Sequence, residues 1–277
     1  MNRPLPAIAL TEEEIDQILR SCNGRALLVG GQALAFWAQR YHVKPLGVLA
    51  ESVTSDADFV GAATVARDLW GKLQALGWKY WQPSLDDATS QTAKLSKTVE
   101  GQGIKQVDFL GAIIGLKTEG IERRAAVLTL ADGTRLRVLH PLDVLESRLQ
   151  NLAQLVEKRT FQGIAQAHLA LEIVRCHMEE ALHDGAARRL LDAIERLAQI
   201  ARLPTLAAVF YDYSLDLLSV VPADHVPVEE FRTRRWPQLK GAVDEQRRSY
   251  AHRQPSPPLR LLLPAAAGRV PGQRCRP

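Results

Sequence analysis

Only three cysteines stand in the 277 residues, Cys22, Cys176 and Cys275. They are odd in number, widely separated and never in a C-x-x-C pair. This argues against a disulfide framework and a thiolate zinc site, and leaves them as buried or incidental thiols. Long apolar runs are missing too: none approaches the roughly 18 to 20 residues that a membrane-crossing helix requires. The opening MNRPLPAIALTEEE has neither the apolar centre nor the small-residue cleavage site of a secretory signal. The expectation is a cytoplasmic protein with no membrane partner. No internal repeat is visible.

What is present belongs to a globular chain: 46% of residues are hydrophobic, enough to bury a core. The net charge of +4 is small but unevenly placed. From Glu229 to Pro277 there are eleven Lys and Arg against four Asp and Glu, so the excess positive charge lies in the tail. Such an arm suits either a nucleic-acid partner or plain solvation.

Along the chain, TEEEIDQILRS opens a helix, with Thr11 and Glu14 as a capping box and Ile15, Ile18, Leu19 and Cys22 as its apolar stripe. RALLVGGQALAFWAQRY then reads as a short buried strand, a tight turn at Gly30-Gly31, and a helix. A further helix is expected from about Thr64 to Leu76, stopped by Gly77. Strand-like pieces follow in WKYW, AKLSKTV, IKQVDFLGAI, AAVLTL and RLRVLH, the last two joined by the hairpin signal Asp132-Gly133. From Pro141 the patterns are helical only, including one through LAAVFYDYSLDLLSVV. The fold class expected is α+β: a mixed sheet with helices in residues 1–140, a helical domain in 141–251, and a disordered basic, proline-rich tail in 252–277.

Chemistry concentrates in SVTSDADFVG. Aspartate is a poor strand former, yet Asp56 and Asp58 sit in a strand-like run. In an extended chain both project to one face, roughly 6.5 to 7 Å apart. Two converging carboxylates repel, and a hard cation such as Mg²⁺ or Mn²⁺ relieves this. A third carboxylate, Asp108 in IKQVDFLG, alternates with Val107 and Phe109. It is either another ligand or a residue bonded to a nearby backbone N–H. Gly30-Gly31 is either a plain tight turn or one that lets backbone N–H groups approach a phosphate. Lys94 and Lys97 either neutralise phosphates or are solvated. His140, His168 and His177 read as structural or exposed.

The succession LLVGGQALAFW, SDADF and VDFLG resembles the DNA polymerase β-like nucleotidyltransferase superfamily over about residues 25–115, and LHPLDVLESRLQNL resembles the helix after the sheet in its bacterial toxin-like, AbiEii-type branch. The resemblance implies a nucleotidyltransferase-like core in which Asp56, Asp58 and Asp108 are catalytic and hold two Mg²⁺ (or Mn²⁺) ions, while Gly30 and Gly31 bind the nucleotide. The implied reaction moves a nucleoside monophosphate from an NTP such as ATP to an acceptor: an RNA 3′ end, a protein side chain or a small molecule. The alternative it implies is a catalytically inactive regulatory or binding module of a toxin-antitoxin or defence system, with a cognate antitoxin or other protein as partner. Against the compact members, residues 42–54 are an insertion. Where the toxin-like branch carries a lysine and then an Arg/Lys-Asp pattern, this chain offers Arg148, Lys158 and Arg159 with no aspartate.

Overall fold

A computed structural model describes residues 5–44, 56–84 and 86–252. The expected disordered tail, from residue 253, and residues 45–54 of the insertion lie outside these. The chain is α+β, with a seven-stranded mixed sheet and a helical C-terminal part. Its described residues fall into two compact units, one holding those up to 36 and from 56 to 147 and the other those from 37 to 44 and from 148 to 252, the divisions falling within two helices.

The first unit opens with α1 (Glu12–Cys22), capped as its sequence requires: Thr11 accepts from the Glu14 N–H, and Glu14 accepts from the Thr11 N–H. Strand β1 (Leu27–Val29) runs directly into α2 (Gly30–Arg40), so Gly30 is the first helical residue. Then come β2 (Ala57–Val60), α3 (Ala63–Leu73), β3 (Lys79–Trp81), β4 (Gln91–Val99), β5 (Gly103–Leu110), α4 (Thr118–Arg124), β6 (Ala126–Thr129), β7 (Arg135–Val138) and α5 (Pro141–Gln154). The strand order is β3-β4-β5-β2-β1-β7-β6. β2 runs parallel to β5 and antiparallel to β1, and β1 runs parallel to β7. The Asp132-Gly133 hairpin forms as expected, with Gly133 at φ +83° and Asp132 accepting from the Thr134 N–H.

The core of the sheet lies on the face that carries Ala57, Phe59, Val107 and Phe109, all buried. Phe59 and Phe109 stack at 5.4 Å across the β2–β5 register. Burying each ring stabilises the fold by about 2 to 3 kcal/mol, and a one-residue slip would turn the adjacent aspartates into this core. Glu14 of α1 reaches the odd-numbered side of β4 and β5, where it pairs with Lys105 at 2.6 Å and Lys97 at 3.6 Å.

The second unit is helical. Residues 37–44 belong to it together with α6 (Phe161–His183), α7 (Ala187–Ala201), α8 (Ala207–Asp212) and α9 (Trp236–Ala251). Twelve residues of α6 are buried, from Ile164 to Ala181. The Tyr41 hydroxyl donates to Glu180 Oε2 at 2.9 Å and lies 3.2 Å from His177 Nδ1, while Arg40 pairs with Glu180 Oε1 at 3.0 Å. Burial, then the Glu180 charge, pushes the Tyr41 pKa up, which keeps the hydroxyl a donor.

The segment LAAVFYDYSLDLLSVV is not one helix. After α8 the chain turns through Ser214 at φ +53° and resumes as a 3₁₀ turn at Leu217–Val220. Cys22 is a free thiol whose pKa burial pushes up to about 11. Cys176 is fully buried within α6, as its reading as a buried residue expects.

Candidate functional site

Val29 ends β1, and the chain enters α2 through Gly30 at φ +65°. A side chain here would be strained, and it would also have no room: a Cβ on Gly30 would lie 2.9 Å from Asp58 Cγ and 3.0 Å from Asp58 Cβ. The Asp58 carboxylate therefore packs against the first residue of a helix, where unpaired backbone N–H groups and the positive end of the helix favour an anion. Gly31 is buried behind it and does not have a positive φ.

Asp58 lies within β2, between buried Ala57 and Phe59, and is itself only partly buried. Its cross-strand neighbours are Val29 on β1 and Asp108 on β5. Opposite Asp108 on the next strand is Lys94. A single row of paired positions thus runs Val29, Asp58, Asp108, Lys94 across four strands, with its side chains on the face away from Phe59 and Phe109. Asp56 precedes β2 at a bend, so the strand starts later than SVTSDADFVG suggested; Ser52 to Ser55 are outside the described residues.

Asp108 carries the electrostatic load. Burial raises its pKa, the Lys94 charge opposes this, and the Asp56 charge adds to the rise, for a net upward shift. Lys94 Nζ is 3.7 Å from Asp108 Oδ1, too far for a hydrogen bond, and that oxygen is buried without a hydrogen-bond partner. An unsatisfied buried carboxylate oxygen costs about 1 to 3 kcal/mol. Gln91 faces Leu110, and hence the site side of β5, because the β4–β5 register shifts between Gln91 and Ala93. Such bulges often re-aim a side chain near an active site.

Of the expected site residues, then, Asp58, Asp108 and Gly30 come together, and Asp56 is near enough for its charge to act on Asp108. Among the described residues no group of three His, Cys, Asp or Glu side chains is arranged to hold a metal ion. The donor set nonetheless fits a hard cation: all its donors are carboxylate oxygens, and one of them is buried without a partner.

Lys94 belongs to this site and Lys97 does not, since Lys97 lies on the other face with Glu14. The sequence holds the sign of this. A hairpin centred on Gly101 pairs 94 with 108 and 97 with 105. Gln91 was missed because a bulge leaves no mark in the residue pattern. The histidines stand apart: His140 Nδ1 accepts from the Leu142 N–H, His177 meets Tyr41, and burial lowers the His168 pKa.

Among the described residues no single helix is long and apolar enough to cross a membrane. No protein-family model matches the chain, and no curated protein matches it significantly.

Proposed function

We propose that this chain is a metal-dependent nucleotidyltransferase, transferring a nucleoside monophosphate from an NTP to an acceptor hydroxyl or amine. The observation that carries the reading is the packing of Asp58 against Gly30 at the start of α2, with Asp108 directly beside it on β5. Two of the signals that resemble the DNA polymerase β-like superfamily, the second Asp of Asp-x-Asp and the later third Asp, share one sheet face, with Gly30 of the Gly-Gly pair beside Asp58.

Asp56, Asp58 and Asp108 would hold Mg²⁺ or Mn²⁺. The bound cations would supply charge stabilisation at the attacking and leaving oxygens and a lowered pKa for the acceptor. The protein's own groups do the rest. Gly30 and Gly31 begin α2, whose positive N-terminal end would favour the nucleotide phosphates. Lys94, paired with Asp108, would offer a positive charge to the triphosphate. Burial disfavours the charged form of Asp108, and the charge of bound cations would offset this.

A second reading, an inactive regulatory module of a toxin-antitoxin or defence system, is favoured by the Lys94–Asp108 ion pair, in which a lysine stands where a cation would. Thermal unfolding separates the two. A transferase site should be stabilised more by NTP with Mg²⁺ than by either alone, and Asp56→Ala should remove that synergy. Equal shifts in wild type and variant would take these carboxylates out of the site.

A further inference from the structure

The second unit contains a cavity of about 310 Å³ lined by α8, α9 and the turn between α8 and the 3₁₀ segment; Phe210, Tyr211, Ser214, Asp216, Arg247 and Tyr250 lie in its wall. This is the lower end of the size range of small-molecule sites. The Tyr211 and Tyr250 rings lie 5.8 Å apart at 59°, giving the wall two aromatic surfaces. Ser214 adopts a left-handed φ of +53°, uncommon for a serine and often associated with functional sites.

The polar groups narrow the chemistry. Arg247 Nη2 donates to Asp216 Oδ1 at 2.9 Å, and the same oxygen accepts from the Leu218 N–H. The Arg247 side chain is partly exposed and its guanidinium has donors beyond the one given to Asp216, while Asp216 Oδ2 accepts no hydrogen bond among the described residues. The wall thus offers guanidinium donors and one open acceptor. The guanidinium charge is already matched by Asp216, and an incoming anion would meet that carboxylate. The complement is a neutral, flat, apolar ring with a hydrogen-bond acceptor beside a donor. The N7 and 6-amino edge of a purine has this pattern, and its ring can pack on tyrosine.

We infer that this cavity is a binding site for a purine base, separate from the carboxylate site on the sheet and not dependent on the transferase reading.

The test is a titration followed by calorimetry and saturation-transfer NMR, using adenosine, 7-deazaadenosine (which lacks the acceptor) and purine riboside (which lacks the donor). Adenosine should bind wild type saturably, and each analogue more weakly. Arg247→Met should weaken adenosine by about tenfold or more, the usual effect of losing one hydrogen bond from a charged donor. Ala207→Phe, which fills the cavity from a position that makes no use of Arg247, should abolish binding. Asp108→Asn should leave it unchanged. Melting curves establish that each variant is folded. The inference is overturned if adenosine shows no saturable binding at millimolar concentration, if 7-deazaadenosine binds as tightly as adenosine, or if both cavity variants bind adenosine as wild type does.

Discussion

Asp58 and Asp108 stand directly opposite each other on the parallel strands β2 and β5, and the Asp58 carboxylate packs against Gly30. Like charges so placed disfavour the sheet by themselves. The strands hold this register because Phe59 and Phe109, the next pair along, stack on the other face. An arrangement kept against its own electrostatics calls for positive charge from elsewhere, and Lys94 is the charge that the structure provides.

Gly30→Ala should be strongly disruptive. The new Cβ would need both a left-handed φ and space that Asp58 occupies. The comparison is Gly133→Ala, where φ is also positive, at +83°, but nothing lies within 4 Å of the added atom. Denaturant titration should give a loss of about 1 kcal/mol at Gly133, from backbone strain alone, and at least about 2 kcal/mol more at Gly30. Equal losses would mean that Asp58 does not pack there.

The pH dependence of Asp108→Asn has a definite sign. Because the folded pKa of Asp108 is raised, its favourable contribution is complete below the unfolded value and is lost as pH rises through the folded value. At neutral pH the wild type therefore bears the cost of a buried carboxylate, while Lys94, still partly exposed, can turn to solvent once the charge is gone. Melting curves should show Asp108→Asn gaining on wild type as pH climbs from about 4 towards 7. A gain that shrinks over this range would contradict the raised pKa.

Lys94→Met and Lys97→Met should differ although the two lysines share one strand. The first leaves Asp108 without its counter-charge and should cost about 1 to 2 kcal/mol at neutral pH, less than a fully buried pair because Lys94 is partly exposed. The second leaves Glu14 still bonded to Lys105 and removes a like-charge neighbour, since Lys97 and Lys105 are cross-strand partners. It should change stability by no more than about 0.5 kcal/mol. Equilibrium unfolding in urea measures both.

What the residue pattern discloses here is local. The α1 capping box, the Asp132-Gly133 hairpin and the alternation that sets Asp58 and Asp108 apart from their apolar neighbours all depend on residues within a few positions, and all are legible. The Asp58–Asp108 pairing is not, because a parallel pair joined through α3, β3 and β4 is decided by tertiary packing. The short α4 and the terminal α9 escaped for lack of an apolar stripe: α4 buries only Ile121, and α9 only Leu239 and Val243. The break at Ser214 is invisible because serine seldom adopts the left-handed conformation that makes it.

The central claim is that the paired aspartates carry out nucleotidyl transfer, and Asp108→Asn tests it most directly. Asparagine keeps the shape of the side chain and removes the charge that would help to hold a cation. Binding of NTP with Mg²⁺ should therefore largely survive, while transfer should fall by about two to three orders of magnitude. The measurement is incorporation of label from an NTP radiolabelled at its α-phosphate into total RNA, total protein and the small-molecule fraction, for wild type and Asp108→Asn side by side. The account predicts a labelled acceptor with wild type and almost none with the variant. Equal labelling by the two proteins, or no labelled acceptor in any fraction from a wild type that binds NTP with Mg²⁺, would contradict it.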